Sequence, residues 1–478
     1  MSQINLAIVL AAGEGKRMRS KRPKVLHEIC GAPLVGHVVD AVSALEPSES
    51  IAVLGNQREE VEAWLKANHP KVKSVIQEEQ LGTGHAVKVA LSELAEASGK
   101  VLIAPADMPL ITSEDLANLA LAAADKAGAV LTAEVEVPSG YGRVLSKNDL
   151  VLAIVEDKDA DDKTLKITEI NTGIYIFEID KLKAALASLK QDNKQNEFYL
   201  TDIVAILNQQ GEKVAKTKCL KAENALGVND RQQLAQAGAI MQKRINNFWM
   251  SSGVSMRNPS NVFIDKTAYL ESDCYLDNNT FILGNTRISE GAAIGPDTAI
   301  TNSIIGQRAK VFSSTLVQAE VGEESVVGPY TFLRPGTKLA KATKVGAYVE
   351  VKNSEIGEGS KVPHLSYIGD GKIGKNSNVG AGTIFANYDG EKKDQTVVGD
   401  FVKIGSDNVL VAPVTIGDGA YTAAGSVIVE DVEPGAMGVA RGKQKNVLGW
   451  VKRKRPNSKA AEAAERAQKQ DSTSEPTE

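Results

Sequence analysis

The sequence has few of the features that mark secreted, membrane-spanning or nucleic-acid-binding proteins. Its 478 residues include only three cysteines, Cys30, Cys219 and Cys274, and their wide spacing fits neither a disulfide framework nor a metal site. No stretch approaches the roughly 20 apolar residues of a membrane span, and the apolar run Leu6–Ala12 has the length of a strand rather than of a signal core. The net charge of −5 argues against nucleic acid or an anionic membrane as a partner. We therefore expect a cytoplasmic protein with no nucleic acid and no membrane among its partners.

In place of these features, the last third of the chain contains a six-residue repeat of apolar residues. The period is neither 3.6 nor two, which excludes an amphipathic helix and a half-exposed strand. It is typical of a parallel β-helix, in which each hexad forms one face and three faces make one turn. A single turn cannot bury its apolar face alone, so the array is expected to fold as a stack. The anchor positions are Val321, Val327, Leu333, Leu339, Val345, Val351, Ile356, Val362, Ile368, Ile373, Val379, Phe385, Val398, Ile404, Leu410 and Ile416.

The length of the chain predicts more than one domain. Residues 1–230 alternate between strand-like and helix-like segments, which predicts an α/β nucleotide-binding, Rossmann-like domain with a largely parallel sheet covered on both sides by helices. Residues 231–252 are expected to form a helical linker, and residues 253–450 the β-helix. Residues 451–478 have few apolar residues other than alanine, so we expect a disordered tail or a frayed helix there.

A glycine-containing loop with several cations follows the first predicted strand. The loop runs from Leu10 to Met18, and its glycines allow backbone N–H groups to approach phosphate oxygens. Lys24 follows closely and can reach the same phosphates. Asp107 comes after the apolar segment 101–104, where a carboxylate can hold a divalent metal at the edge of the sheet. The structural alternatives are a tight turn with solvated charges, and a helix cap at Asp107.

The pattern Leu-Ala-Ala-Gly-x-Gly-x-x-Met followed by Pro-Lys resembles the sugar-nucleotide pyrophosphorylase superfamily. Motifs at 140–143, 155–158, 171–173 and 227–230 extend this, and over residues 4–450 the chain resembles the bifunctional uridyltransferase/acetyltransferase family of aminosugar metabolism. Two departures from the family pattern stand out. Lys16 occupies a position where Thr is usual, and Pro105-Ala106 replaces an aromatic residue or Cys followed by Gly.

The resemblance implies roles for individual residues of the first domain. Lys24 would be catalytic through its contact with phosphate, and Asp107 and Asn229 would hold Mg²⁺. UTP and the UDP-sugar would be bound by Leu10, Ala11, Ala12, Gly13, Lys24, Gln77, Gly82, Thr83, Asp107, Gly142, Glu156, Asn171 and Asn229.

Polar side chains also accumulate on the predicted β-helix. His364 is the one histidine after residue 85 and lies in the exposed part of a hexad. Arg334 and Lys352 suit a phosphate, and Tyr367 and Asn378 suit sugar hydroxyls. The structural alternatives are an exposed histidine without a role, and solvated side chains on separate turns.

This part of the sequence resembles the hexapeptide-repeat acyltransferases, which implies a left-handed parallel β-helix of hexapeptide repeats. The resemblance implies that His364 acts as general base and that the chain forms a homotrimer with the acetyl site between subunits. It implies that the aminosugar phosphate is bound by Arg334, Lys352, Tyr367 and Asn378. Acetyl-CoA, the co-substrate, would be bound by Ala381, Asn387, Tyr388, Ser406, Ala424 and Arg441.

The sequence thus favours a bifunctional enzyme. It would acetylate glucosamine-1-phosphate and then transfer UMP from UTP to the product, giving UDP-N-acetylglucosamine, a precursor of bacterial cell wall and lipopolysaccharide, and pyrophosphate. The alternative is a nucleotidyltransferase with a single activity towards a sugar-1-phosphate, whose β-helix only trimerises or regulates. A pure binding scaffold conflicts with the set formed by Lys24, Asp107 and Asn229.

Overall fold

The computed structural model describes residues 4–55, 58–94 and 97–471. The chain divides into two compact units, residues 1–352 and 353–478. This division falls within the hexad repeat. It does not coincide with the domain boundaries predicted at residues 230 and 253, and those boundaries stay a prediction. The first turns of the β-helix contact the α/β domain, and they therefore belong to the first unit.

A nine-stranded mixed sheet forms the centre of the α/β domain. The strands of this domain are β1 (Leu6–Ala11), β2 (Glu28–Ile29), β3 (Ala32–Pro33), β4 (Glu49–Leu54), β5 (Val72–Ile76), β6 (Lys100–Pro105), β7 (Gly128–Glu134), β8 (Arg143–Lys147), β9 (Leu150–Val155), β10 (Glu169–Glu178) and β11 (Val214–Lys218). The order in the large sheet is β5-β4-β1-β6-β10-β7-β11-β9-β8, and β2 and β3 form a separate hairpin.

Helices cover both faces of this sheet. They are α1 (Leu34–Ser43), α2 (Arg58–Asn68), α3 (Thr83–Ser92), α4 (Ser113–Ala122), α5 (Ile179–Ala187) and α6 (Asp202–Gln209). Because side chains alternate along a strand, Ala7 and Val9 of β1 join the core with α1, α2 and α4. Leu6 and Ile8 join the opposite core, with α3, α5 and α6. The two-sided arrangement follows from the alternation of strands and helices in the sequence.

The sheet is less parallel than expected. β1 is parallel to β4 and β6, and β4 is parallel to β5, but β10 is antiparallel to both β6 and β7. β8 and β9 form an antiparallel hairpin. Antiparallel neighbours need no crossover helix, and the chain between β7 and β10 contains only this hairpin and one short 3₁₀ turn, Thr164–Lys166.

In the first unit, the β-helix repeats after every third strand. From β12 to β28, each strand pairs in parallel with the third strand after it. Three strands therefore make one turn, as the hexad period predicted. The strands are β12 (Ser255–Met256), β13 (Val262–Ile264), β14 (Tyr269–Leu270), β15 (Tyr275–Leu276), β16 (Thr280–Leu283), β17 (Arg287–Ile288), β18 (Ala293–Ile294), β19 (Thr298–Thr301), β20 (Ile304–Ile305), β21 (Lys310–Val311), β22 (Thr315–Val317), β23 (Glu320–Val321), β24 (Val326–Val327), β25 (Phe332–Leu333), β26 (Lys338–Leu339), β27 (Lys344–Ala347) and β28 (Glu350–Lys352).

The second unit contains the same repeat. From β29 to β40, strands again pair with the third strand after them, and all the hexad anchors in both units are at most 3% exposed. Residues 387–395 interrupt the repeat between β34 and β35. The strands are β29 (Glu355–Ile356), β30 (Lys361–His364), β31 (Tyr367–Gly369), β32 (Gly371–Ile373), β33 (Asn378–Val379), β34 (Ile384–Ala386), β35 (Thr396–Val398), β36 (Lys403–Ile404), β37 (Val409–Val411), β38 (Val414–Ile416), β39 (Tyr421–Thr422), β40 (Val427–Ile428) and β41 (Met437–Gly438).

A single long helix, α7 (Arg231–Ser251), follows the α/β domain where the sequence predicts a helical linker. Asp230 is its N-cap residue, and the Asp230 side chain accepts a hydrogen bond from the Gln233 backbone N–H at 2.9 Å. Near its end, Asn246 Nδ2 donates to the carbonyl of Val262 at 2.9 Å. The linker is therefore bonded to the first turn of the β-helix as well as joined to it.

The β2–β3 hairpin of the α/β domain also contacts the β-helix. The backbone N–H of Lys266 donates to the carbonyl of Cys30 at 2.9 Å, and the Lys266 ammonium pairs with Asp40 of α1. Gly31 adopts a φ of +76°, and a Cβ at that position would lie 2.4 Å from Cγ of Asp265. Only glycine fits this contact without displacement.

The described part of the tail is largely helical. It contains two helices, α8 (Trp450–Lys454) and α9 (Lys459–Asp471), and Lys452 pairs with Glu465 between them at 3.1 Å. The remainder of the predicted tail, 472–478, lies outside the described residues. Among the described helices, none is long and apolar enough to cross a membrane.

Candidate active sites

A cavity of about 370 Å³ lies beside the ends of β1, β5 and β6. Parallel strands end together at this edge, which is where ligands bind on such sheets. Of the residues that the sequence predicts for nucleotide and sugar, the cavity is lined by Leu10, Ala11, Ala12, Gly13, Lys24, Gln77, Gly82, Thr83, Asp107, Glu156 and Asn171. The other two lie next to it. The Gly142 carbonyl accepts from Asn171 N at 2.8 Å, and Oδ1 of Asn229 lies 3.3 Å from Nζ of Lys24.

The Lys24 ammonium joins the two residues that the resemblance assigns to the metal. Its Nζ contacts Oδ2 of Asp107 and Oδ1 of Asn229. The backbone supports this arrangement, because Val228 N donates to the carbonyl of Asp107 at 2.8 Å. Gln233, in the first turn of α7, accepts from Asn229 N at 2.7 Å. The linker helix thus holds Asn229 in place beside Lys24.

These two oxygens fit a magnesium ion. Mg²⁺ prefers oxygen ligands and is commonly held by one or two carboxylates together with substrate phosphates. Asp107 and Asn229 supply oxygens that converge on one cation, the Lys24 ammonium. Within the described residues there is no group of three or more His, Cys, Asp or Glu able to hold a metal, so a metal here would take its remaining ligands from phosphate and water.

The loop before α3 contacts the side chain of Gln77, which lines the cavity where the sequence predicts the nucleotide. Nε2 of Gln77 donates to the carbonyl of Gly82 at 3.1 Å and approaches Nδ1 of His85 at 3.0 Å. Gly82 has a φ of +102°, and a Cβ there would lie 2.7 Å from the Phe198 carbonyl oxygen. Gln80 Nε2 also donates to the carbonyl of Ala12, at 2.7 Å. These contacts hold the two glycine-rich segments together at the cavity.

A second cavity, of about 590 Å³, adjoins the first on its basic side. Its cationic lining residues are Lys16, Arg19, Lys21, Lys24 and Arg58. A Cβ at Gly15 would lie 2.6 Å from Cβ of Lys24, so glycine is needed for the lysine to pack against the loop. Glu14 forms an ion pair with Lys16 at 2.5 Å and raises its pKa. This exposed lysine is the one that departs from the family pattern.

The end of the cavity where the sequence predicts the sugar is acidic. Glu156 Oε1 accepts a hydrogen bond from Thr201 Oγ1 at 3.1 Å. Burial raises the pKa of Glu156, and the charges of Asp202, Asp159 and Asp157 raise it further. A partly buried carboxylate of this kind is a strong acceptor for ligand hydroxyl groups, which would restore the hydrogen bonds it lost with water.

Sequence reasoning missed several residues that line this cavity, among them Tyr175, Glu197, Leu200 and Thr201. Tyr175 belongs to a largely apolar strand, β10, where an aromatic residue is expected to be part of the hydrophobic core. Glu197 and Thr201 belong to a loop and the helix start after it, and their sequence carries no motif. Only the folded chain brings them to the sheet edge.

The predicted residues of the β-helix lie in both units. In the first unit, Arg334 pairs with Glu350 at 2.8 Å and lies over the Phe332 ring at 6.0 Å, and Lys352 ends β28. In the second unit, His364 ends β30 and is exposed. The predicted sugar-binding residues there, Tyr367 and Asn378, begin β31 and β33.

Small residues of the second unit stack on one another from turn to turn. Asp407 N donates to the carbonyl of Ala381 at 2.7 Å, and Gly425 N donates to the carbonyl of Ser406 at 2.8 Å. Ala424 precedes Gly425, so the positions predicted for acetyl-CoA fall on three consecutive turns. A narrow, extended part of a ligand could lie along such a column, because its small side chains leave room for it.

The other residues predicted to bind acetyl-CoA are Asn387, Tyr388 and Arg441. Asn387 is buried and donates to Asp370, whereas Tyr388 is exposed and its hydroxyl donates to the Gly390 carbonyl at 2.5 Å. Both lie at the start of the loop that interrupts the repeat. Arg441 follows β41 and is exposed.

Comparison with known proteins gives matches in both parts of the chain. Residues 7–197 match the family described as MobA-like NTP transferase domain, and residues 395–430 match the bacterial transferase hexapeptide family of six repeats. The curated bifunctional GlmU proteins of Streptomyces avermitilis and Streptomyces coelicolor are each 46% identical over 463 residues, covering 96% of both chains. The GlmU protein of Corynebacterium efficiens is 44% identical over 468 residues, again covering 96% of both chains. These matches confirm the predicted fold class, an α/β nucleotidyltransferase domain with a left-handed β-helix of hexapeptide repeats.

Proposed function

Because the chain belongs to the bifunctional GlmU family, we propose that it catalyses both reactions named in the sequence-based hypothesis. The β-helix transfers acetyl from acetyl-CoA to the amine of glucosamine-1-phosphate. The α/β domain then transfers UMP from UTP to N-acetylglucosamine-1-phosphate, releasing pyrophosphate and UDP-N-acetylglucosamine. The observation that carries the uridylyltransferase assignment is a single cavity that joins the glycine loop, Lys24, Asp107 and the acidic sugar end.

In uridylyl transfer, a phosphate oxygen of the sugar-1-phosphate attacks the α-phosphorus of UTP. A P–O bond forms to the sugar phosphate as the bond to pyrophosphate breaks. Such a reaction depends on positioning and charge neutralisation rather than on a covalent intermediate. Lys24 neutralises phosphate charge, the loop from Leu10 to Gly13 donates backbone N–H groups, and Gln77 holds the base.

Asp107 and Asn229 would hold the magnesium ion. When bound, the metal neutralises charge on the phosphates and polarises them for attack. Lys24 contacts both of these side chains, so with an ion bound there its ammonium would contact the phosphates instead. Glu156, Asn171 and the Gly142 backbone bind the N-acetylglucosamine group on the opposite side of the cavity.

In acetyl transfer, the amine of glucosamine-1-phosphate attacks the thioester carbonyl. A C–N bond forms, the C–S bond breaks, and coenzyme A leaves as the thiol. His364 removes the proton that the amine loses. Arg334 and Lys352 bind the sugar phosphate, and Tyr367 and Asn378 bind the sugar. The coenzyme is held by Ala381, Asn387, Tyr388, Ser406, Ala424 and Arg441.

The active form is a homotrimer located in the cytoplasm, where its nucleotide and coenzyme A substrates are made. Support for the compartment comes from Cys30, Cys219 and Cys274, which are all free thiols. Analytical ultracentrifugation of the full chain tests the trimer, and a monomer with full acetyltransferase activity would contradict an acetyl site shared between subunits.

One assay tests both activities. The full chain is incubated with glucosamine-1-phosphate, acetyl-CoA, UTP and Mg²⁺, while free thiol and pyrophosphate are followed separately. We expect thiol release without UTP, and pyrophosphate release from glucosamine-1-phosphate only when acetyl-CoA is present. Pyrophosphate release with no thiol release would instead support the alternative of a single nucleotidyltransferase activity.

A further inference from the structure

Two buried side chains are hydrogen-bonded to each other at the sugar end of the cavity. Asn171 Nδ2 donates to Oη of Tyr175 at 2.6 Å. Asn171 is 8% exposed and Tyr175 is 2% exposed, yet both line the cavity. The tyrosine belongs to none of the motifs that carry the family resemblance.

An irregularity in β10 brings the two residues together. In a regular strand, residues four apart are separated by about 13 Å. The register of β10 against β7 shifts between Asn171 and Tyr175, and Gly173 between them has a φ of +79°. Thr172 stabilises the bulge, because its hydroxyl donates to the Leu131 carbonyl at 2.8 Å and accepts from Ile174 N at 3.2 Å. Bulges commonly redirect a side chain towards a site in this way.

The carboxamide of Asn171 is fixed at both ends. Gly173 N donates to its Oδ1 at 3.1 Å while its Nδ2 donates to Tyr175. A carboxamide has two N–H groups and two acceptor lone pairs. The described residues therefore leave one donor and one acceptor for a ligand, in directions that the tyrosine and the bulge determine. Without the phenol oxygen, only the Gly173 N–H would still hold the carboxamide, so its rotation about χ2 would be less restricted.

We propose that Tyr175 is a positioning residue that selects for the N-acetylglucosamine group of the substrate by orienting Asn171. The inference rests on the proposed function, because it requires that Asn171 contacts the sugar. The ring itself is held by packing, since it stacks on Phe177 with centroids 5.6 Å apart. Replacing Tyr175 by Phe therefore removes the hydrogen bond and keeps the core.

Calorimetric titration of the full chain with UDP-N-acetylglucosamine and with UTP tests this without catalysis. Tyr175→Phe should weaken UDP-N-acetylglucosamine binding by about 5- to 10-fold, the usual effect of one buried hydrogen bond, and should leave the UTP affinity within twofold. In the uridylyl assay, the KM for N-acetylglucosamine-1-phosphate should rise by the same factor. Tyr199→Phe is the matched control. Tyr199 is also buried and its hydroxyl accepts from Gln195 at 2.8 Å, but it is not among the residues lining the cavity.

A double-mutant cycle distinguishes positioning from a separate contact. In the Asn171→Ala background, Tyr175→Phe should cause no further loss of sugar affinity, because its effect passes through the missing side chain. Additive losses would overturn the inference, as would unchanged sugar affinity in Tyr175→Phe or equal losses for both ligands. A wild-type chain that binds UTP but not UDP-N-acetylglucosamine would instead overturn the proposed function, and the inference with it.

Discussion

Nζ of Lys24 lies 3.3 Å from Oδ1 of Asn229 and also contacts the Asp107 carboxylate. One cation therefore spans the two oxygens assigned to the metal, although the three residues are separated by 83 and 205 positions along the chain. This relationship brings the glycine loop, the end of β6 and the start of α7 together at one point.

Asp107→Asn should lower uridylyl transfer by at least about 100-fold, because it weakens a metal ligand worth several kcal/mol of charge stabilisation. It should also raise the Mg²⁺ concentration needed for half-maximal rate. Pyrophosphate release at increasing Mg²⁺ measures both effects, and thiol release should be unchanged. Asp161→Asn, at an exposed carboxylate away from the cavity, is the control. A near-normal rate at ordinary Mg²⁺ would contradict the metal assignment.

Glu156→Gln should stabilise the fold and weaken sugar binding at the same time. Burial raises the pKa of Glu156 in the folded state, so its charged form destabilises the folded chain above that pKa, and the penalty disappears as pH falls below the unfolded value. The Tm of the variant should therefore exceed that of the wild type by about 1–2 °C at pH 7.5, and the gain should vanish towards pH 4.

The same change should raise the KM for N-acetylglucosamine-1-phosphate by about 10-fold, because an amide is a weaker acceptor than a charged carboxylate. Scanning calorimetry at several pH values and steady-state kinetics measure the two effects. A lower Tm at neutral pH would show that the carboxylate stabilises the fold and would contradict the prediction.

His85→Leu should reduce the preference for UTP over CTP by about 10-fold. Nε2 of Gln77 contacts the Gly82 carbonyl and the His85 ring, so its Oε1 stays available to accept a hydrogen bond from the N3–H of uracil. Cytosine has an acceptor at N3 and does not donate this hydrogen bond. Losing the histidine allows the amide to turn and present its donor instead. The ratio of kcat/KM for the two nucleotides measures this. Equal losses for UTP and CTP would point to a folding defect.

Thiol reagents should leave both activities intact. Burial raises the pKa of Cys30 and Cys219 to about 12 and that of Cys274 to about 11, and the reactive species is the thiolate. At pH 7.5, iodoacetamide should therefore modify the native chain at least about 100-fold more slowly than the urea-unfolded chain, as followed by mass spectrometry. Rapid modification of any of the three in the native chain would contradict their burial.

His364→Ala should lower acetyl transfer by about 10²- to 10⁴-fold, the usual contribution of a general base, without affecting uridylyl transfer. Lys361→Ala, at an exposed position on the same strand, controls for disturbance of β30. Thiol release with saturating acetyl-CoA measures the rate. Near-normal thiol release in a folded His364→Ala variant would favour the alternative in which the β-helix is only a platform.

The repeat could be predicted from the sequence because its period alone determines which residues face inwards. Val327 and Phe385 lie in different registers of the hexad, yet both are fully buried. The segment from Leu10 to Gly13 and the carboxylate of Asp107 could be found for a related reason, since they lie at or just after the ends of buried strands that share one edge of the sheet.

What the sequence did not predict depends on irregular backbone and on distant pairings. Tyr175 meets Asn171 only because a bulge replaces the regular spacing of β10. The antiparallel direction of that strand depends on its partners and not on its own residues. In the tail, the composition left disorder and a frayed helix open, and the alanine-rich segment forms α9.

The bonded junction between the β2–β3 hairpin and the first β-helix turn limits how such domains recombine. A hybrid that takes its α/β domain from one relative and its β-helix from another would combine a hairpin from one protein with a β-helix turn from the other. Any parent with a side chain at the position of Gly31 would clash with the Asp265 turn. We therefore expect a hybrid to fold when residues 262–284 come from the same relative as the α/β domain. The origin of that short segment would determine which hybrids fold.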